Sequence, residues 1–195
     1  LREQDDMSIR AQLQTDFSDR LSGHISFTYS TVDDINGGTY TPTFFGGDTA
    51  DYNGFVPNSD PHKASVSPGG RLDKESYGVT GTLTYEINDD LTLTSITNYQ
   101  DNKKFYFEDS DGSPFRQGEF FSDQDAQTFG QEIRLNGSTD RTNWVAGAYY
   151  LDLSGDYLSA FFFPDFVAFA NITALPGSNF KQDTKSWALF GQVDY

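Results

Sequence analysis

Few residues in this chain are of a kind that does chemistry. There is no cysteine, and the two histidines are His24 and His62. Neither is accompanied by an HExxH or GxSxG motif, so no metal-hydrolase or nucleophile constellation forms around them. Asp109-Ser110-Asp111-Gly112 opens like a calcium loop, in which oxygen ligands alternate and a bidentate Glu closes the shell. The third ligand and the closing Glu are missing at the required spacing, and the segment reads as a turn. The chain is therefore expected to be no enzyme, with no catalytic residue, no metal site and no cofactor.

Recognition chemistry is better represented. Tyr40, Phe44, Phe45, Tyr52 and Phe55 lie among Gly37-Gly38, Gly46-Gly47, Asp48 and Asp51. Aromatic rings set among small and polar residues can stack on sugar rings or planar chelates while the polar groups orient them. These five are the candidate ligand contacts; the competing reading is that the rings pack on neighbouring loops and give the loop its own small core. A second segment, Ser159-Ala160-Phe161-Phe162-Phe163-Pro164 through Val167-Ala168-Phe169, is apolar enough to need cover. Such a segment folds over the mouth of a scaffold or binds a partner protein.

The elements that must position these residues share one period. Leu21, Ile25, Phe27 and Tyr29 alternate with Ser22, His24, Ser26 and Thr28, and Tyr77, Val79, Leu83, Tyr85 and Ile87 alternate with Ser76, Thr80, Thr82, Thr84 and Glu86. A period of two is the signature of strands whose faces meet different surroundings. Strands are expected near 5-17, 21-32, 74-87, 91-106, 124-136, 143-153 and 184-195. Their lengths approach or exceed the roughly 9–11 residues that a tilted strand needs to cross a bilayer. Tight polar turns at 18-20, 88-90 and 137-142 alternate with long connections at 33-73, 107-123 and 154-183. Short and long connections alternate in this way when one end of every hairpin faces a confined periplasm and the other the open medium. The short turns are then periplasmic and the long loops extracellular.

Composition agrees with that architecture. Hydrophobic residues reach only 36% while aromatics reach 16%, which suits one apolar layer with aromatic girdles better than the thick aliphatic core of a sandwich. No stretch of roughly 18 apolar residues marks a membrane helix. The formal net charge of -16 argues against a nucleic-acid partner, which needs concentrated Lys and Arg. The first residues lack signal-peptide character, so the numbering is expected to begin inside a longer precursor. The fold class expected is all-β, with residues 1-195 forming part of one antiparallel transmembrane β-barrel domain of about seven long strands.

Alternation also assigns faces. Met7, Ile9, Ala11, Leu13 and Phe17 are expected toward lipid, with Asp6, Ser8, Arg10, Gln12, Gln14 and Asp16 toward the lumen. Phe129, Ile133 and Leu135 should oppose Glu132 and Arg134, while Val145, Tyr149, Leu151 and Leu153 face out, as do Trp187, Leu189, Val193 and Tyr195. Four residues break the pattern: Phe190 and Trp144 fall on the lumen parity, and Ser95 and Gln131 on the lipid parity.

The run Phe129-Gly130-Gln131-Glu132-Ile133-Arg134-Leu135, a short turn, and Asn143-Trp144-Val145-Ala146-Gly147-Ala148-Tyr149-Tyr150 resembles a hairpin of TonB-dependent outer-membrane receptors. Leu91 to Tyr99 and Lys185 to Tyr195 are similar to the strands flanking that hairpin, and the likeness covers most of residues 74-195. The resemblance implies a 22-stranded barrel with an N-terminal plug, placed in the outer membrane of a Gram-negative bacterium. It implies TonB-energised import of an iron chelate, a vitamin or an oligosaccharide, with outer-membrane lipid and lipopolysaccharide as neighbours and the TonB system acting through a plug that this chain does not carry. On that reading the chain is a slice of a receptor barrel. The alternatives are a small non-energised outer-membrane barrel of about eight strands, supported by the terminal Trp187, Leu189, Val193 and Tyr195, and a secreted carbohydrate-binding β-sandwich.

Overall fold

The computed structural model describes residues 3–35, 53–56, 58, 60, 65–67, 69–165 and 176–195. Seven strands follow one another: β1 (Glu3–Ser18), β2 (Leu21–Ile35), β3 (Arg71–Asn88), β4 (Leu91–Asp109), β5 (Glu119–Ser138), β6 (Asn143–Phe162) and β7 (Ser178–Asp194). They form one antiparallel sheet in sequence order. All seven expected strands are present. Among the described residues β1 and β7 each pair on one side only, so the expected barrel segment is an open sheet rather than a closed cylinder.

The strands run further than the apolar alternation does. The connections expected at 33-73, 107-123 and 154-183 shrink to 36-70, 110-118 and 163-177. The physical reason is that ladder hydrogen bonding does not depend on which side chains alternate. β5 and β6 continue for several residues beyond their apolar portions, through Asp123, Asp125 and Asp156. The tight ends are as expected: the Asn88 side chain accepts the Asp90 N–H at 3.0 Å, and Arg20 caps the neighbouring turn by donating to the Ile87 carbonyl at 3.2 Å.

Register decides the faces, because paired residues share a face and a slip of one residue reverses a whole strand. Met7, Ile9, Ala11 and Leu13 pair with Thr31, Tyr29, Phe27 and Ile25, and Phe27 and Tyr29 pair in turn with Val79 and Tyr77. Leu83, Leu93, Tyr99, Phe129, Ile133 and Leu135 continue the same apolar face. For β6 the register overturns the expectation. Ile133 and Leu135 pair with Ala148 and Ala146, and Gly137 with Trp144. Trp144 thus joins the apolar face, with Val193, Leu189 and Trp187 beyond it. Val145, Tyr149, Leu151 and Leu153 pair with Asn136, Glu132, Gly130 and Thr128 and stand on the polar face. The strand is apolar on both parities, so periodicity alone carried no information about its facing.

Three polar residues on the apolar face, Ser95, Thr97 and Gln131, satisfy one another. Thr97 Oγ1 donates to Gln131 Oε1 at 2.6 Å, and Gln131 Nε2 donates to Ser95 Oγ at 3.0 Å. Among the described residues no hydrophobic side chain is buried, whereas Asp34, Thr94, Asp101, Asp109, Ser113, Gln117, Glu119 and Ser122 are. This is the reverse of a water-soluble core. Leu13, Leu83, Ile133 and Leu189 lie 49–75% exposed, and the apolar face lacks a second layer within the described chain.

Two glycines report how tightly the faces are covered. A Cβ on Gly147 would lie 2.3 Å from the Phe190 ring and 2.9 Å from the Ile133 carbonyl oxygen, whereas one on Gly81 meets nothing within 4 Å. Gly147→Ala should therefore destabilise the fold by about 1–3 kcal/mol, the usual cost of overpacking. Gly81→Ala should be neutral or stabilise slightly, by restricting the unfolded chain. Urea unfolding midpoints of the two variants check this, and equal midpoints would contradict the β6–β7 register.

Candidate functional site at the loop end of the sheet

The end of the sheet away from the tight turns gathers the residues with recognition chemistry. Contiguous aromatic runs cover both faces there. On the polar face Tyr106 and Phe120 lie 6.3 Å apart between ring centres, Phe120 and Phe161 4.8 Å, and Phe161 and Phe163 6.3 Å. On the other face Phe121 contacts Phe105 and Phe162 at 6.1 and 5.9 Å. A further stacked pair, Tyr157 and Phe180 at 4.8 Å, stands on the polar face between β6 and β7. Phe161 and Phe180 remain 41% and 50% exposed, and large exposed rings on an otherwise polar face are the kind of surface that binds something.

The β4–β5 turn above these rings is built by carboxylates. Asp109 Oδ1 accepts the Asp111 and Gly112 N–H groups at 3.0 and 2.7 Å, and Gly112 takes a φ of 65°, a conformation that favours glycine. Asp111 Oδ1 and Oδ2 accept the Ser113 and Gln117 N–H groups at 2.8 and 2.9 Å. The segment Asp109-Ser110-Asp111-Gly112 is thus a turn whose oxygens are spent on backbone donors.

Three connections meet at this turn. Ser67, from the β2–β3 connection, donates its N–H to Asp109 Oδ2 at 2.9 Å and its hydroxyl to Glu119 Oε1. Asp109 and Glu119 are direct cross-strand partners at the last rung of β4 and β5, both within 2% of complete burial. Like charges directly opposed are unfavourable, and Ser67 bridges them. Glu119 Oε2 is buried without a hydrogen-bond partner. Arg116 forks onto Asp165, Nε to Oδ2 and Nη2 to Oδ1 both at 3.1 Å, and this holds the Asp165 carboxyl below its ordinary range. Asn53 donates to the Asp165 carbonyl at 2.7 Å. Burial, then the charge of Asp109, pushes the Asp111 carboxyl up to about 7, and burial raises Glu119 as well.

Of the five rings expected to touch ligand, Phe55 is half-buried close to Asn53 in the chain; Tyr40, Phe44, Phe45 and Tyr52 lie outside the described residues, as does His62. His24 stands on the polar face with Gln12 Nε2 3.4 Å from its Nε2. The apolar segment beginning at Ser159 divides: Phe161 and Phe162 belong to β6 and alternate between the two ring clusters. Sequence reasoning missed Tyr106, Phe120 and Phe121 as a surface. The available signal was the adjacency of Phe105-Tyr106-Phe107, Phe120-Phe121 and Phe161-Phe162, since unbroken apolar runs suit strands covered on both faces.

A scan of protein-family models finds no match to this chain, and no curated protein is significantly similar to it in sequence.

Ser67→Ala should leave both Glu119 oxygens without a partner, at a local cost of about 1–3 kcal/mol for the unsatisfied buried group. The expected readout is faster hydrogen exchange at the amides of 110–119, with the global unfolding midpoint nearly unmoved because the strand ladder is intact. Unchanged exchange would mean that the bridge contributes nothing.

Proposed function

We infer that this chain is part of an outer-membrane β-barrel whose long loops capture a scarce nutrient for energised import. The observation that carries the membrane placement is a row of rings on the apolar face. Tyr29, Tyr77, Tyr99, Phe129, Tyr150 and Trp187 stand on six consecutive strands, at directly paired or next-but-one positions. At the turn end Phe17, Tyr85 and Trp144 lie on the same face. Between the two rows the face is apolar. Beyond the first row it becomes charged at Asp33, Glu75, Asp101, Lys103, Asp152 and Lys185.

The dimensions suit a bilayer. From Tyr85 to Tyr77 the strand rises roughly 27 Å, and a tilt of about 40° brings the height to roughly 20 Å, near the ~25 Å band of membrane barrels. The row shifts by two residues between β3 and β4 and again between β5 and β6, as an interface does when it cuts tilted strands. The internally bonded Ser95–Thr97–Gln131 group fits the same setting, because hydrocarbon offers polar groups no other partner. An open sheet with unpaired edges does not persist in hydrocarbon, so further strands must complete the cylinder. A β-sandwich is disfavoured, since it would require a second apolar sheet over the same face.

Import, rather than passive structure, is supported by the loop end. Three connections are bonded together over an aromatic surface, and the hairpin Phe129 to Tyr150 has the sequence character of TonB-dependent receptors. The small non-energised barrel remains the second reading, favoured by the terminal Trp187, Leu189, Val193 and Tyr195.

Charge should discriminate the faces. Leu83→Arg and Ile133→Arg, both on the apolar face, should each cost on the order of 2–4 kcal/mol near the bilayer midplane. Thr82→Arg, on the polar face, should be far better tolerated. Heat-modifiable gel mobility measures assembly, and equal tolerance at the three positions would refute the membrane placement.

Import has its own test. Deleting residues 38–56, which removes Tyr40, Phe44, Phe45, Tyr52 and Phe55, should leave an assembled barrel because loops tolerate shortening while the ladder persists. Uptake of candidate iron chelates or oligosaccharides, and its dependence on the proton-motive force, should fall. Full uptake by the assembled deletion variant would exclude these rings from recognition.

A further inference from the structure

The β4–β5 turn holds more negative charge than its hydrogen bonds account for. Asp109 and Glu119 face each other across one rung, nearly fully buried, with Asp111 on the turn above them. Their donors are Ser67, which reaches both strand carboxylates, and the turn amides of Asp111, Gly112, Ser113 and Gln117. Arg116, the cation that acts on Glu119, is already forked onto Asp165 of the β6–β7 connection. From β3, Arg71 is turned onto Asp73 at 2.6 Å. From β6, the residue paired with Glu119 is the uncharged Phe162. Glu108 lies on the opposite face and accepts from Tyr106 and Ser110. Glu119 Oε2 is therefore buried, unpartnered and next to a second carboxylate. Burying an uncompensated anion is costly enough that such groups neutralise instead.

We propose that this turn is a proton-operated clamp: a proton held on Asp111 or Glu119, beside Asp109, lets the turn grip Ser67, and its loss releases Ser67. The direction follows from linkage. Asp111 and Glu119 have raised values in the clamped turn and would return to about their ordinary 3.8 and 4.5 when it opens to water. The clamped state binds the extra proton in the interval between, so its stability is fully present below the ordinary values and is lost as pH rises through about 7. Asp111 and Glu119 are coupled, since the charge of Asp109 raises both and Glu119 also raises Asp111. The clamp does not depend on the membrane placement.

The chain has no cysteine, so Val66→Cys gives a single nitroxide label beside Ser67 in the folded protein. Its electron paramagnetic resonance spectrum should be of the slow-motion type at pH 5 and fast at pH 8.5, with a midpoint near 7. Asp111→Asn and Glu119→Gln each replace a titrating carboxyl by a neutral group, and each should keep the slow spectrum to higher pH. Ser67→Ala should give the fast spectrum throughout. In the unlabelled protein, protection of the Ser67, Asp111 and Gly112 amides, corrected for intrinsic exchange, should fall more than tenfold over the same interval. That second measurement decides the matter if the label itself breaks the bridge. Protection constant from pH 5 to 8.5 would overturn the clamp, and so would an unshifted midpoint in both carboxyl variants.

Discussion

The antiparallel register is the constraint on which everything else rests. Each strand pairs with its chain neighbour, so one tight turn sets the facing of the whole next strand, and an error of one residue would exchange its faces. The turn at 139–142 places Asn143 opposite Ser138. From that single pairing it follows that Trp144, Ala146, Ala148 and Tyr150 extend the apolar face, and the β6–β7 register then sets Trp187 beside Tyr150. The opposite choice would put Val145, Tyr149, Leu151 and Leu153 there instead. The close seating of the Trp144 ring over Gly137 and of Phe190 over Gly147 fixes the same register from the side-chain side, since neither partner position has room for a Cβ.

The sheet divides along its length into two environments. Near the tight turns one face is apolar, and Ser95, Thr97 and Gln131 on it are bonded to each other. Beyond the ring row the same face carries opposed charges, such as Lys181 with Asp156 at 2.9 Å and Lys185 with Asp152 at 3.5 Å. These pairs are well exposed, and exposed pairs contribute little to stability; their meaning is that this part of the strand meets water. Further out the faces become aromatic on both sides, and the connections that meet at Asp109, Arg116 and Asp165 are bonded together at that same end of the sheet. The net charge of -16 thus includes a few acids with structural work: Asp109 and Asp111 shape a turn, and Asp165 ties two connections together.

Much of this was legible in the sequence, and the failures have definite causes. Strand number, order, tight turns and the facing of β1 to β5 and β7 follow from alternation, because there each strand has one parity that is clearly apolar. β6 was misread because both of its parities are apolar, and only pairing distinguishes them. The outer portions of β4 to β6 were read as loops because charged alternation and aromatic runs both resemble non-strand sequence when the pattern sought is apolar-polar. Asp109-Ser110-Asp111-Gly112 was legible as a turn from missing ligands. Its partnership with Ser67 was not, since that contact joins residues 42 apart and depends on the β3–β4 hairpin lying between them.

The extension of the strands past the ring row also explains how three separate connections come to share one site. Flexible loops leaving the sheet at the ring row would have to find each other at a large entropic cost. Here β4 and β5 stay paired as far as the Asp109–Glu119 rung, ten residues beyond Tyr99 and Phe129, which carries a rigid platform roughly 33 Å outward along the strands. The β4–β5 connection is then short enough for its own carboxylates to order it. Ser67 and Asp165 need only be drawn to a structure that already exists. An aromatic surface made this way is fixed by the sheet, while the connections beside it are held by a handful of polar contacts, among them the carboxylates of the proposed clamp.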